Sequence, residues 1–238
     1  VQITPVHEST AFFDMNDDGF RNLTGWAGPG DGLLAYDRDA DGAITSIDEI
    51  AFIGYQEGAA SDLEGLRAFD TNEDGNLSVD DAQWNQFGVW IDANQDGVSD
   101  AGEFLSLDDH GITELSLTSD GVEQPLDDGG RVLGTTTATT DSGEILAAAD
   151  AVLRYTETGY HTTEAGYIVF GAGDSQRFGV ADGDGGVSID LGESGLSGFL
   201  GGGGTDVINA GAAADVVISG GPGDDHVLGG QGNDWLSG

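Results

Sequence analysis

The stretch WIDANQDGVSDAGEF (residues 90–104) spells D-x-N-x-D-G from Asp92, and Asp100 and Glu103 fall at positions 9 and 12 of the frame. This is a calcium loop of the EF-hand type. Calcium takes roughly six to eight oxygen ligands. Positions 1, 3 and 5 of such a loop supply side-chain oxygens, Gly at 6 permits the bend, position 7 offers its carbonyl, and an acid at 12 closes the shell.

Three upstream segments share the pattern: Asp14, Asn16, Asp18 with Gly19; Asp37, Asp39, Asp41 with Gly42; and Asp70, Asn72, Asp74 with Gly75. The third loop has Ser78 at position 9 and Asp81 at position 12, where Asp reaches less far than Glu. The second offers Asp48 at 12 and Glu49 at 13, and both remain candidates. The first has Gly25 at 12, so its closing ligand must come from elsewhere. One such motif is weak, because Asx-rich turns form without metal. Four in succession are strong.

Composition points the same way. Forty-four Asp and Glu face six basic residues, all Arg, for a formal net charge of −38. That sign excludes nucleic acid as a partner, since phosphate contacts need Lys and Arg, and disfavours anionic membranes. Such a charge loosens a compact state unless cations neutralise it. There is no Cys, hence no disulfide and no thiolate metal site. No apolar run is long enough for membrane insertion. The chain reads as a piece of a much larger protein, monomeric as such a piece. Its four His are scattered and form no zinc pattern, no nucleophile elbow appears, and no catalytic residue is assigned.

The segments around the loops read as short helices: 46–56, 62–70 and 80–92, the last placing Trp84, Phe87 and Ile91 on one face with Trp90 beside them. Residues 111–170 read mostly as strands, with EILAAADAVLRY (144–155) assigned to helix for its Ala content. Past residue 170 the chain turns Gly-rich. GGGGTDVIN (201–209), GGPGDDHVL (220–228) and GGQGNDWLS (229–237) fit G-G-x-G-x-D-x-U-x, and AGAAADVVI (210–218) keeps the Asp and the apolar position. Asp206, Asp215, Asp225 and Asp234 mark the period of a nonapeptide β-roll, in which calcium sits between stacked turns. About two coils are expected from these repeats. The fold expected is therefore α+β: EF-hand-like calcium loops with short helices and a small antiparallel sheet over 1–165, then a linker and the start of a short parallel β-roll over 166–238. Several calcium ions are the implied cofactors.

FFDMNDDGFRNLTGWAGPGDGLLAYDRDADGAITSIDEI (12–50), with VWIDANQDGVSDAGEF (89–104) and LDDHGITELSL (107–117), resembles the calcium-dependent module of large RTX proteins of Gram-negative bacteria. The likeness spans roughly residues 10–155. It implies a secreted protein, exported by a type I channel to the cell surface or medium. Two kinds of relative are implied. One is the peptide-binding domain of RTX adhesins, which grips a peptide or protein ligand on another cell with the help of bound calcium. The other is the self-processing module of iron-regulated RTX proteins, which cleaves an Asp-Pro bond upstream of itself when calcium binds. The four prolines follow Thr4, Gly28, Gln124 and Gly221, so residues 1–238 contain no Asp-Pro bond, and there is no Lys to receive a transferred Asp. The sequence therefore favours a ligand-binding module of an adhesin, with TGWAGPGDGLLA (24–35) as the mouth, Trp26 packing on the ligand and Asp31 holding a metal. Self-processing at a bond outside this chain is the alternative.

The single Met, Met15, argues against a sensor, because sensor grooves are Met-lined. The loop at 90–104 reads as a structural closure rather than a switch.

Overall fold

The computed structural model describes residues 1–172, 177–181, 183–213 and 215–238. They form two compact units: Val1–Asp17 with Leu23–Thr156, and Asp18–Asn22 with Glu157–Gly238.

The first unit is built from short strands between acidic loops. They are β1 (Ile3–Thr4), β2 (Phe12–Phe13), β3 (Arg21–Thr24, across the boundary between the units), β4 (Trp26–Ala27), β5 (Leu33–Tyr36), β6 (Asn76–Ser78), β7 (Phe87–Trp90), β8 (Phe104–Ser106), β9 (Ile112–Ser116), β10 (Gln124–Pro125), β11 (Arg131–Thr140) and β12 (Ile145–Val152). β1 pairs with β4. β5, β7 and β8 form an antiparallel sheet. A second runs β10-β11-β9-β6, with β12 laid along β11. Two cores fill the unit. Tyr36, Phe52, Phe69 and Phe87 gather with Leu63, Leu66, Leu77 and Leu115 in one, Phe69 meeting Phe87 edge-on at 5.0 Å between ring centroids. Phe13, Trp26 and Trp90 form the other with Ala11, Ala35 and Ile44, and Trp26 meets Trp90 edge-on at 5.2 Å.

The α+β expectation does not hold: the chain is mostly β. Among the described residues the α-helices are single turns, α1 (Asp62–Gly65) and α2 (Leu191–Ser194). Residues 46–56 yield 3-10 turns at Ile47–Glu49 and Ile53–Tyr55, and 62–70 yields α1 followed by a 3-10 turn at Leu66–Phe69. These segments are too short to repay helix nucleation, and nearby glycines break them. In 80–92 the chain makes a 3-10 turn at Trp84–Gln86 and then enters β7, so Trp84 and Phe87 serve the first core and Trp90 the second. The Ala-rich 144–155 is strand, not helix. Thr137 pairs with Ala147 and Ala138 with Leu146, and Leu146 and Ala148 on one face of β12 pack against the first core. Cross-strand pairing overrides the weak Ala preference.

The second unit holds an antiparallel pair, β13 (Tyr155–Thr162, beginning at the boundary) and β14 (Tyr167–Gly171), which leads into a solenoid. Its strands are β15 (Phe178–Ala181), β16 (Ser188–Asp190), β17 (Gly198–Leu200), β18 (Val207–Asn209), β19 (Val217–Ser219), β20 (His226–Leu228) and β21 (Trp235–Ser237). Alternate strands go to opposite sheets: β15, β17, β19 and β21 stack in parallel on one, β16, β18 and β20 on the other. A nonapeptide supplies one strand and its turn, so two make a coil. Ile189, Phe199, Ile208 and Ile218 point inward as the apolar position requires. The parallel roll has about three turns and begins before the regular repeats.

Gly65 shows how tightly the loops are stacked. A Cβ there would run into the Phe52 carbonyl. Gly65→Ala should therefore cost about 1–3 kcal/mol through overpacking. In a unit of this size that lowers the melting temperature by roughly 2–12 °C, measured by circular dichroism in calcium.

Candidate metal centres

The four D-x-[DN]-x-D-G segments share one backbone path. The residue at position 4 is left-handed in every one: Asp17 at φ 56°, Ala40 at 60°, Glu73 at 59° and Gln95 at 59°. The glycines at position 6 have φ of 84°, 83°, 88° and 76°. A non-glycine residue in that region costs about 1–2 kcal/mol, so its recurrence at one register marks an enforced bend. Position 5 braces the exit of each loop, its carboxylate accepting the N–H of position 7: Phe20 to Asp18 at 2.9 Å, Ala43 to Asp41 at 2.8 Å, Asn76 to Asp74 at 2.9 Å and Val98 to Asp96 at 2.7 Å.

Loops two to four also share their closure. The carboxylate at position 1 accepts the N–H groups of positions 5 and 6, as Asp92 does from Asp96 at 3.3 Å and Gly97 at 2.8 Å. Asp37 and Asp70 do the same. The closing acid accepts from positions 2 and 9. In loop four Glu103 takes Ala93 N–H at 2.9 Å and Asp100 N–H at 3.1 Å. In loop three Asp81 takes Thr71 N–H at 2.7 Å and Ser78 N–H at 2.8 Å. The turn that returns Asp81 N–H to Ser78 O at 3.0 Å brings the shorter side chain into reach.

In loop two the acid in this role is Glu49, one residue late. It takes Arg38 N–H at 3.3 Å and Thr45 N–H at 2.8 Å, and it is buried at the end of a capping box begun by Ser46. Asp48 turns outward to an exposed ion pair with Arg38 at 3.3 Å. The carboxylates of Asp37, Asp39 and Glu49 converge, each with an oxygen within 4.8 Å of the others. In loop one Asp14 and Asn16 belong to the first unit and Asp18 to the second.

Two core tryptophans are wired to loop four. Trp26 Nε1 donates to Asp92 Oδ2 at 2.8 Å and Trp90 Nε1 to Glu103 Oε2 at 3.4 Å. Burial raises the Glu103 carboxyl, but the N–H groups of Ala93 and Asp100 and the Trp90 indole outweigh it, leaving Glu103 below the ordinary value and anionic. Sequence reading missed the Trp26–Asp92 contact, which spans 66 residues. Trp26 is fully buried, and Asp31 accepts the backbone N–H of Gln2.

In the roll, each predicted Asp accepts an N–H from the coil beside it. Asp206 Oδ1 takes Val187 N–H at 2.7 Å, Asp225 Oδ1 takes Asp206 N–H at 3.1 Å, Asp234 Oδ1 takes Val216 N–H at 3.2 Å and Asp215 Oδ1 takes Asn233 N–H at 2.7 Å. The second oxygens of Asp206 and Asp225 are buried without a protein partner. Each lies against a glycine, Gly201 and Gly220, where any Cβ would collide with it. A buried orphan carboxylate oxygen in a glycine cradle fits a cation, since leaving it bare is costly.

Residues 200–236 match the RTX calcium-binding nonapeptide repeat, in four copies. Residues 1–154 match the SPM domain. The chain belongs to the SPM-domain family. It is an RTX protein with calcium-binding repeats. This SPM-domain chain is 33% identical over 150 residues to the iron-regulated protein FrpA of Neisseria meningitidis serogroup C, an alignment covering 59% of this chain. The chain spans only 14% of that relative's length.

The closing acid of loop two can be tested directly. Glu49→Gln should weaken calcium binding at that loop by at least about tenfold, or about 1.4 kcal/mol, whereas Asp48→Asn should leave it within about twofold. Calcium titration of both variants by calorimetry checks this.

Proposed function

We propose that this chain is a calcium-triggered folding module that brings about cleavage of an Asp-Pro bond in polypeptide preceding Val1, within an RTX protein exported by a type I channel. One path in the first unit carries the reading. Asp92 of loop four accepts the Trp26 indole N–H, Trp26 lies in β4, and β4 pairs with β1 through Thr4 opposite Trp26 and Ile3 opposite Ala27. The state of loop four is thereby linked to the start of the chain, where an upstream bond would emerge.

Calcium, when bound, supplies the positive charge and the coordination that gather the loop carboxylates. The chain's residues do the rest. Backbone N–H groups preset the acids, the indoles of Trp26 and Trp90 tie two of them to the core, and β4 aligns the N-terminal arm. Asp37, Asp39 and Glu49 would hold one ion, Asp70, Asn72, Asp74 and Asp81 a second, and Asp92, Asn94, Asp96 and Glu103 a third. Asp206 and Asp225 would hold ions in the roll. RTX repeats are typical of proteins secreted by type I systems, and scarce cytosolic calcium would keep the chain loose until export.

The SPM-domain match and the iron-regulated relative favour self-processing over adhesion. The adhesive reading rests on Trp26 and Asp31 as a mouth, and Trp26 is fully buried while Asp31 holds Gln2.

The chain should be extended upstream through any native Asp-Pro bond and calcium added. Two sharp fragments are expected, and none from a chain carrying Asp92→Asn and Glu103→Gln. Chelator should also lower the melting temperature, since each ion at hundredfold excess over its Kd adds about 2.7 kcal/mol. A folded, calcium-loaded chain that stays intact would sink the reading.

A further inference from the structure

The first unit contains a cleft of about 370 Å³ that none of the candidate metal-binding carboxylates of the four loops lines. Residues Leu146 to Ala151 of β12 line it, together with Phe52, Leu63 and Leu66. Val1, Gln2 and Ile3 form part of its rim. We propose that this cleft seats the polypeptide immediately preceding Val1, laid as an extended strand along β12.

Three observations support the seating. First, β12 pairs with β11 on one side and has no other strand neighbour among the described residues. Its eight residues therefore leave one edge able to accept a strand, a recurring mode by which an extended peptide is bound. Second, four of those residues are Ala, so an added strand meets little side-chain bulk. Third, the arm that delivers the segment is fixed. β1 is paired to β4, Gln2 N–H is held by Asp31, and Val6 N–H is held by Asp128 at 2.8 Å. Burial raises the Asp128 carboxyl, but the N–H groups of Val6 and Gly130 outweigh it, so Asp128 stays below the ordinary range and anionic. A chain continuing ahead of Val1 starts at the cleft's rim with its approach already set.

The lining also says what such a segment must be. It is mostly aliphatic, and its ionisable groups are Asp31, Asp62 and Asp150, with no basic residue. The carboxylates are committed to the fold: Asp62 accepts from Phe52 and Ile53 N–H at 2.7 and 2.8 Å, and Asp150 from Leu63 N–H at 3.1 Å. A segment with apolar or small residues facing the cleft fits it, whereas an ionised acid facing inward is repelled.

This inference rests on the self-processing reading for why an upstream segment should be held, and it gives that reading a place for its substrate. Residues 1–238 contain no cysteine, so any cysteine in the added upstream segment is replaced by Ser before disulfide trapping. Adjacent strands lie about 4.8 Å apart, within disulfide range. In the N-terminally extended protein, with the scissile Asp replaced by Asn, Ala147→Cys on β12 is combined with single cysteines stepped through the residues before Val1. Crosslinks are expected at alternate upstream positions in calcium, at least about tenfold above those to the exposed control Val122→Cys, and lost in chelator. Crosslinking no greater than the control in a calcium-folded chain overturns the seating. Ala148→Trp, on the face of β12 that packs toward Phe52, Leu63 and Leu66, fills the cleft and should remove the crosslink. If that variant fails to fold, the Ala147→Cys series alone decides. Cleavage of the unaltered extended chain in calcium without the alternating crosslinks overturns this seating and leaves self-processing standing. Crosslinks without such cleavage support the seating and remove self-processing.

Discussion

Like charges that must converge govern this molecule. With 44 acids and six arginines, the chain cannot pair most of its carboxylates with basic side chains. Backbone N–H groups do part of the work, and they do it to a plan: position 1 takes the amides of 5 and 6, position 5 that of 7, and the closing acid those of 2 and 9. This presets oxygens pointing at one centre. It leaves the net negative charge of each loop in place, a charge that a bound cation would offset.

The loops differ in what they hold. In loop four the ligand carboxylates also anchor Trp26 and Trp90, so the metal shell and the second aromatic core share hydrogen bonds. Loop three closes within itself, the N–H and hydroxyl of exposed Thr71 both meeting Asp81. Loop two closes on a capping box instead. A helix pair that opens, as in a sensor, needs hinges between loop and core. In loop four, loop and core are joined by the candidate ligands Asp92 and Glu103 themselves, and short strands replace the helices. An ion bound in such a loop would be coupled to the folding of the unit rather than to a rearrangement within it.

Much of this was legible in the sequence. The D-x-[DN]-x-D-G register places the bend at position 4 and the glycine at 6 in all four loops, because ligand geometry repeats locally. Local pattern fails where distant contacts decide. Asp48 and Glu49 are equal candidates on spacing, and the choice turns on Arg38, which draws Asp48 outward while its own N–H meets Glu49. The Ala-rich 144–155 carries a helical preference worth only tenths of a kcal/mol per residue, too little to resist a long pairing with β11. The early coils at β15 to β17 lack the glycine spacing of the later repeats. They stack in register because Phe199 and Leu196 fill the interior that the repeat would otherwise define.

The roll solves the same charge problem along one dimension. Val187 N–H meets Asp206, and Asp206 N–H meets Asp225, so each coil's aspartate is oriented by the coil beside it. An aspartate without a neighbouring coil has no such amide, and its pair of oxygens is not yet placed for a cation. Metal affinity in the roll must therefore grow with stacking, and stacking with metal, as in other repeat arrays whose stability resides in nearest-neighbour interfaces. The loops of the first unit have no such dependence on a repeating neighbour, since each of loops two to four carries its own closing acid. One chain thus carries two arrangements of carboxylates: loops that each close on their own acid within a single unit, and a roll whose aspartates are set by whatever coil lies beside them.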